Sequence, residues 1–202
     1  MEVAFTAHLV ILVNKKMRVL VLILCFYSCL LSCIRKELVV DKTSTELKLL
    51  NGVLNYQNAP FDGLLVSRYS DASFKMKLQY VNGRKDGYEK QWHSNGVLSQ
   101  SRWYSKGIKT GNHLGWWEDG MQKFDYHFNE EGAYDGSRKE WYKNGQLIRD
   151  FNYVNGKEIG SQRMWTDIGK IRANYEVKNG ERFGLIGLKK CYTVKTDSNE
   201  LQ

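Results

Sequence analysis

The chain has 202 residues, a formal charge of +8, eighteen glycines and one proline, Pro60. Aromatics make up 13% of it, which excludes a disordered composition. Lys and Arg are spread without a run of five, so the basic balance reads as a solvated face and argues against a nucleic-acid partner.

Taken in chain order, residues 1–33 are a different material from the rest. An apolar stretch, Val3–Val13, is followed by Asn14-Lys15-Lys16-Met17-Arg18 and then by a second apolar run from Val19 to Cys33. A basic flank before a short apolar run is the layout of a secretory signal, and a compact one if read from Met17. The run is shorter than the roughly 20 residues that span a membrane. Its end, Leu30-Leu31-Ser32-Cys33, resembles the lipobox of bacterial lipoproteins. That resemblance implies cleavage before Cys33, a lipid on Cys33, and a protein anchored to a membrane of the bacterial cell envelope. Plain secretion and an uncut signal anchor are the alternatives. Cys191 is then the one cysteine left, so there is no disulfide framework and no paired-cysteine metal motif.

Residues 34–46 are polar and charged and read as a tether. From residue 47 to 192 the sequence repeats. Gly83, Gly107, Gly132, Gly156 and Gly180 recur every 24 or 25 residues. A second series follows four residues behind each: Gly87, Gly111, Gly136, Gly160 and Gly184. A third runs Gly96, Gly120, Gly145, Gly169, with Ala72 in the earlier slot. Trp92, Trp116, Trp141 and Trp165 keep the same interval. The last residues, 193–202, read as a tail.

Asn-Gly pairs suit the positive φ angles of a type I′ hairpin turn. The segments between turns have the length of one strand. After the third glycine the sequence alternates: Phe124, Tyr126 and Phe128 against Lys123, Asp125 and His127; Phe151 and Tyr153 against Asp150 and Asn152; Tyr175 and Val177 against Asn174 and Glu176. This is the pattern of antiparallel strands with one apolar face. The expected fold is all-β: a single-layer, twisted antiparallel meander of successive hairpins with a period of about 24 residues. Asn51-Gly52 falls out of step and is expected to be a bulge or bend, with Ala59-Pro60 standing at the next turn.

Units such as "KEWYKNGQLIRDFNYVNGKEIG" (139–160) resemble MORN repeats, in the variant found in bacterial YwqK-type proteins. The resemblance covers about residues 50–190. It implies a sheet that serves as a platform for binding or assembly, and it carries the family's label of antitoxin.

For chemistry the sequence offers little. His93, His113 and His127 occupy three different repeat positions, which does not suit a shared metal. No Gly-x-Ser-x-Gly elbow or phosphate-binding loop occurs. Asp86, Glu118 and Glu140 alternate with Lys and Arg and are expected on solvated slots. No catalytic residue, metal or cofactor is expected. The expected function is a non-enzymatic, membrane-anchored scaffold that binds a protein or an envelope component. Its candidate face is Trp92, Trp116, Trp141, Trp165, Phe124, Tyr126, Phe151, Tyr153 and Tyr175. An antitoxin or immunity protein is the alternative, and an enzyme acting on envelope polymers a third reading.

Overall fold

The structure is a computed structural model that describes residues 37–187. The signal segment with Cys33, and the tail 193–202, lie outside the described residues. Within them the chain is all-β and mostly antiparallel, with sixteen strands and no helix. The first are β1 (Val39–Asp41), β2 (Leu47–Leu50), β3 (Val53–Tyr56), β4 (Ala59–Pro60), β5 (Gly63–Arg68) and β6 (Phe74–Val81). Then come β7 (Arg84–Trp92), β8 (Leu98–Ser105), β9 (Ile108–Trp116), β10 (Gln122–Phe128) and β11 (Tyr134–Trp141). The last are β12 (Leu147–Val154), β13 (Lys157–Glu158), β14 (Gly160–Trp165), β15 (Ile171–Lys178) and β16 (Glu181–Leu185). The main sheet runs in sequence order from β5 to β16, with β13 as a short side piece on β12.

The N-terminal end departs from the expected plan in three ways. β1 lies inside the stretch 34–46 expected as a tether; it pairs in parallel with β5, and its Val40 is buried. Leu38, Val39 and Val40 form an apolar triplet within that stretch, enough for a short strand. Second, β2, β3 and β4 form a separate three-stranded sheet. Its Leu47, Leu54 and Tyr56 pack on Val40, Phe61, Leu65 and Leu78 of the main body. The array is therefore not a single layer throughout: this end has a lid. Third, Asn51-Gly52 is a regular two-residue hairpin turn, with φ of 49° and 77° between the paired Leu50 and Val53. The next turn is Gln57-Asn58, and Ala59-Pro60 is strand β4 rather than the turn. The phase of the later glycines misplaced both, because the lid hairpins are shorter than the later ones.

The hairpin turns come in two kinds. Asn82-Gly83, Lys106-Gly107, Asn155-Gly156 and Asn179-Gly180 have positive φ at both residues, as a type I′ turn requires. At Asn95-Gly96 and Asn144-Gly145 only the glycine is positive. There the chain makes a three-residue loop: the Gly96 N–H donates to the His93 carbonyl and the His93 N–H to the Val97 carbonyl. Gly120, Gly145 and Gly169 close in the same way. Gly132 does too, which adds one residue to that loop and accounts for the interval of 25 from Gly107.

The glycines of the second series are not turns. Leu78 faces Glu89, whereas Tyr80 faces Lys85, so β7 carries two extra residues around Gly87. Equivalent slips occur near Gly111 and Gly136, and near Gly160 the strand breaks into β13 and β14. These are β-bulges, where positive φ releases the ladder for a step.

Both margins of the sheet are stitched by hydrogen bonds between successive turns. On one margin, the carboxylates of Asp62, Asp86 and Asp135 accept the backbone N–H of Asn82, Lys106 and Asn155, each 20 residues ahead. On the other, the Tyr69 and Tyr142 hydroxyls donate to the Trp92 and Trp165 carbonyls, and the Asn95 and Asn144 amides donate to those of Glu118 and Asp167. Each of these four spans 23 residues.

A candidate interaction face of aromatic rings and cations

Residues directly opposite in an antiparallel ladder share a side of the sheet. The registers therefore assign one side by rows. One row runs Leu78, Glu89, Arg102 on β6 to β8; further along, Tyr126, Arg138 and Phe151 face one another in turn. A second pairs Phe124 with Gly115 and Glu140, and Glu140 with Arg149. A third pairs Tyr80 with Lys85, Tyr104 with Lys109, and Phe128 with Tyr134. The strands that follow the third glycine supply the aromatics. The intervening strands supply polar and charged groups to the same side.

Five of the expected face residues are brought together here. Phe124 stacks on Tyr126 at 4.7 Å between ring centroids, Phe151 meets Tyr153 at 6.5 Å, and Phe151 meets Tyr175 at 6.2 Å. Tyr134 joins the two groups, at 5.8 Å from Tyr126 and 5.2 Å from Tyr153. Phe128, His113 and Tyr104 continue the chain toward the N-terminus. Tyr104, His113, Phe128 and Tyr134 extend the face beyond the expected residues. Tyr104 follows Trp103 in β8, so apolar residues do not alternate cleanly there, and Tyr134 and His113 lie on the intervening strands.

The four tryptophans do not join this chain of rings. Trp92, Trp116, Trp141 and Trp165 stand half-buried at strand ends, beside register shifts and opposite Leu98, Gln122, Leu147 and Ile171. Trp92 meets Phe74 at 6.5 Å instead. A bulge at the end of each strand turns the ring away from the central rows.

Guanidinium and ammonium groups lie over the rings. Lys85 Nζ is 4.7 Å from the Tyr104 centroid, Arg138 is 5.0 Å from that of Tyr134, and Arg149 is 5.7 Å from that of Phe151. Arg182 is 5.3 Å from Tyr175. Each such contact contributes about 0.5–2 kcal/mol, more as water is excluded. Cations and rings thus cover each other without a second sheet, and Phe124, Phe151, Tyr153 and Tyr175 are buried.

Carboxylates tie the cations down. Glu140 was expected on a solvated slot; it stands on this side. It accepts from the Tyr126 hydroxyl at 2.8 Å and Arg138 at 3.0 Å, with Arg149 Nε 3.2 Å away. Burial together with Glu140 raises the Tyr126 hydroxyl well above the usual range. Burial and Glu158 push Tyr175 up to about 12. Glu89 is 3% exposed and binds Lys85 Nζ at 3.0 Å and the Gln91 amide. Burial works to raise its carboxyl, but Lys85 and Gln91 outweigh it and hold Glu89 below the ordinary value.

The bulges explain two further buried polar groups. Beside them the ladder leaves backbone groups unpaired, and a side chain must meet them. His113 Nε2 lies 2.8 Å from the Trp103 carbonyl. Gln162, fully buried, donates to the Asn152 carbonyl while its oxygen accepts the Asn152 N–H. Burial holds the His113 imidazole below its ordinary pKa, so it is neutral at pH 7.

The opposite side is more open and polar. It carries an Asp125–His127 pair at 3.1 Å and a half-exposed Trp103. Among the described residues no group of three or more His, Cys, Asp or Glu is placed to hold a metal ion. A scan against protein-family models and a search of curated proteins found no match for this chain.

Proposed function

We propose that this protein is a non-enzymatic scaffold, built from MORN-like repeats of about 24 residues and held to a bacterial membrane by a lipid on Cys33, with the ring-and-cation side of its sheet as the docking surface. The observation that carries the docking surface is the uncovered stretch from β8 to β16. There Arg102, Lys109, Arg138, Arg149 and Arg182 share one side with a continuous chain of rings, and no described element lies over them. The rings are largely buried beneath these cations, so the surface is presented through its guanidinium and ammonium heads, and Arg is among the residues that anchor interfaces. The recurring 23-residue stitches support the repeat reading. They tie the margin of each hairpin to its neighbour along the array. The excess of cations suits a partner with acidic side chains.

The test is site-specific photo-crosslinking in intact cells. Crosslinkers at Lys109 and Arg182 are expected to capture the same partner, and crosslinkers at Glu176 and Lys90, on the other side, to miss it. Equal capture from both sides overturns the assignment. The anchor is tested separately with Cys33→Ala, which is expected to release the protein from the membrane fraction.

A further inference from the structure

We infer that a cleft between the lid and the main sheet is a binding site for an anionic group carried on an apolar stem. It has a volume of about 490 Å³, within the usual range for small-molecule sites. Leu49 and Gly52 of the lid form one wall. Tyr80, Arg84, Lys85, Lys106 and Ile108, on two neighbouring hairpin turns, form the rest.

Leu49 is the first argument. In β2 it follows Leu47 by two residues and so points the same way, toward the core. Leu47 and the Leu54 opposite Leu49 both pack there. Leu49, however, is 70% exposed and lines the cleft instead of joining the core. A leucine on the core-facing side with nothing under it marks an apolar wall that a ligand can cover. Ile108 across the gap is exposed as well.

Charge is the second argument. Arg84, Lys85 and Lys106 line the cleft, and no carboxylate does. The nearby acids are already engaged: Glu89 holds Lys85, and Asp86 accepts the backbone N–H of Lys106. Among the described residues neither Arg84 nor Lys106 has a carboxylate partner. A planar guanidinium and a mobile ammonium at one mouth suit a carboxylate or a phosphate monoester. Tyr80, Leu49 and Ile108 suit the stem behind it.

This site adjoins the N-terminal end of the ring-and-cation surface, where Lys85 lies over Tyr104, but it does not depend on that surface having a partner. The experiment is a titration of the full-length chain with 4-phenylbutyrate, phenethyl phosphate and the neutral 4-phenylbutanamide, followed through the amide signals of Gly52, Gly83 and Gly107. Both anions are expected to shift these three signals saturably, and their relative affinities distinguish a carboxylate from a phosphate ligand. The neutral amide is expected to bind about tenfold more weakly or less. The double substitution Arg84→Gln with Lys106→Gln should bring the anions down to the level of the amide. Because both side chains are exposed, the fold should be unchanged. Leu49→Ser should weaken all three compounds together. Shifts on β10 to β15 in place of these glycines, equal binding of the amide, or no saturation overturns the inference.

Discussion

The two ends of this molecule solve the same problem in different ways. Around β5 and β6, a sheet face is covered by a second sheet, and an apolar cluster of Val40, Phe61, Leu65 and Leu78 forms between them. From β8 onward nothing described covers the corresponding side, and the rings are covered by one another and by Arg and Lys stems. Long cationic side chains can do this because they bury their methylenes and keep the charge wet. A covered core gains more per ring, while a self-covered surface keeps its groups available.

The strongest test of that contrast is to remove one ring from each region. Phe61 is 1% exposed and lies between Tyr56 and Tyr80, at 6.1 and 5.7 Å between centroids. Phe61→Ala should cost about 3–5 kcal/mol, the usual cost of a closed cavity. Phe151 is 7% exposed, yet it sits on the uncovered side, where water and Arg149 can move into the gap. Phe151→Ala should fall below that range, at about 2 kcal/mol. Urea unfolding of both variants measures the difference, and equal losses would break the distinction.

A second pair compares the same turn in both regions. In Asn82-Gly83, a Cβ on Gly83 would lie 2.4 Å from Val53 Cγ1 and 2.5 Å from the Leu54 carbonyl oxygen. This glycine also clamps the lid, since the Leu54 N–H donates to the Gly83 carbonyl and the Gly83 N–H to that of Phe61. In Asn179-Gly180 nothing lies within 4 Å. Gly180→Ala should therefore cost only the backbone strain, about 1 kcal/mol. Gly83→Ala should cost clearly more and expose the Leu54 amide to faster hydrogen exchange. Unchanged exchange at Leu54 would mean that the lid is not held through this turn.

Acid should act on the junction between the regions, where Glu89 and His113 lie. The folded state holds His113 below its unfolded value of 6.5, so the unfolded chain binds the proton first and stability falls as pH drops through 6.5. Glu89 is also held below its unfolded value of 4.5, so its contribution is present above that pH and is lost as pH falls further, through the folded value. Two separate losses are expected in a pH series of melting temperatures. His113→Gln, which can still donate to the Trp103 carbonyl, should abolish the upper one and leave the lower.

Much of the open region was legible in the sequence, and little of the covered one. Strict alternation in Gln122–Phe128 and Ile171–Lys178 fixes which side each residue faces, because a strand has period two. The intervening strands hid their role. Glu140, Arg138 and Glu89 look like surface charges until the register sets them opposite Phe124, Phe151 and Leu78. Two extra residues at each bulge shift that register, and glycine spacing does not distinguish a bulge from a turn. The lid was illegible for another reason: Leu47, Leu54 and Tyr56 alternate like any strand, and nothing local in them says that they fold back over β5 and β6.

The smallest expected effect bears on why one turn differs from its counterparts. Gly96, Gly120, Gly145 and Gly169 close the three-residue loops of the open region with φ between 77° and 84°. In the loop between β5 and β6 the same place is held by Ala72, at φ 67°. Its N–H donates to the Tyr69 carbonyl, as each glycine does to its own counterpart, so the geometry is shared and only the Cβ is added. An L residue in this region carries about 1–2 kcal/mol of strain. Asp71, whose carboxylate accepts the Ser73 N–H and hydroxyl, helps to hold the loop against that strain. Ala72→Gly should thus raise stability by about 1 kcal/mol, less the extra freedom that glycine gives the unfolded chain. Gly120→Ala, with nothing within 4 Å of the added carbon, should lower stability by a similar amount. If the two changes mirror each other in urea unfolding, the turn cost is the same everywhere and the covered core is what lets Ala72 persist. A loss on Ala72→Gly would instead mean that the alanine methyl packs favourably in its own loop, and the covered end would then owe nothing to its core for tolerating it.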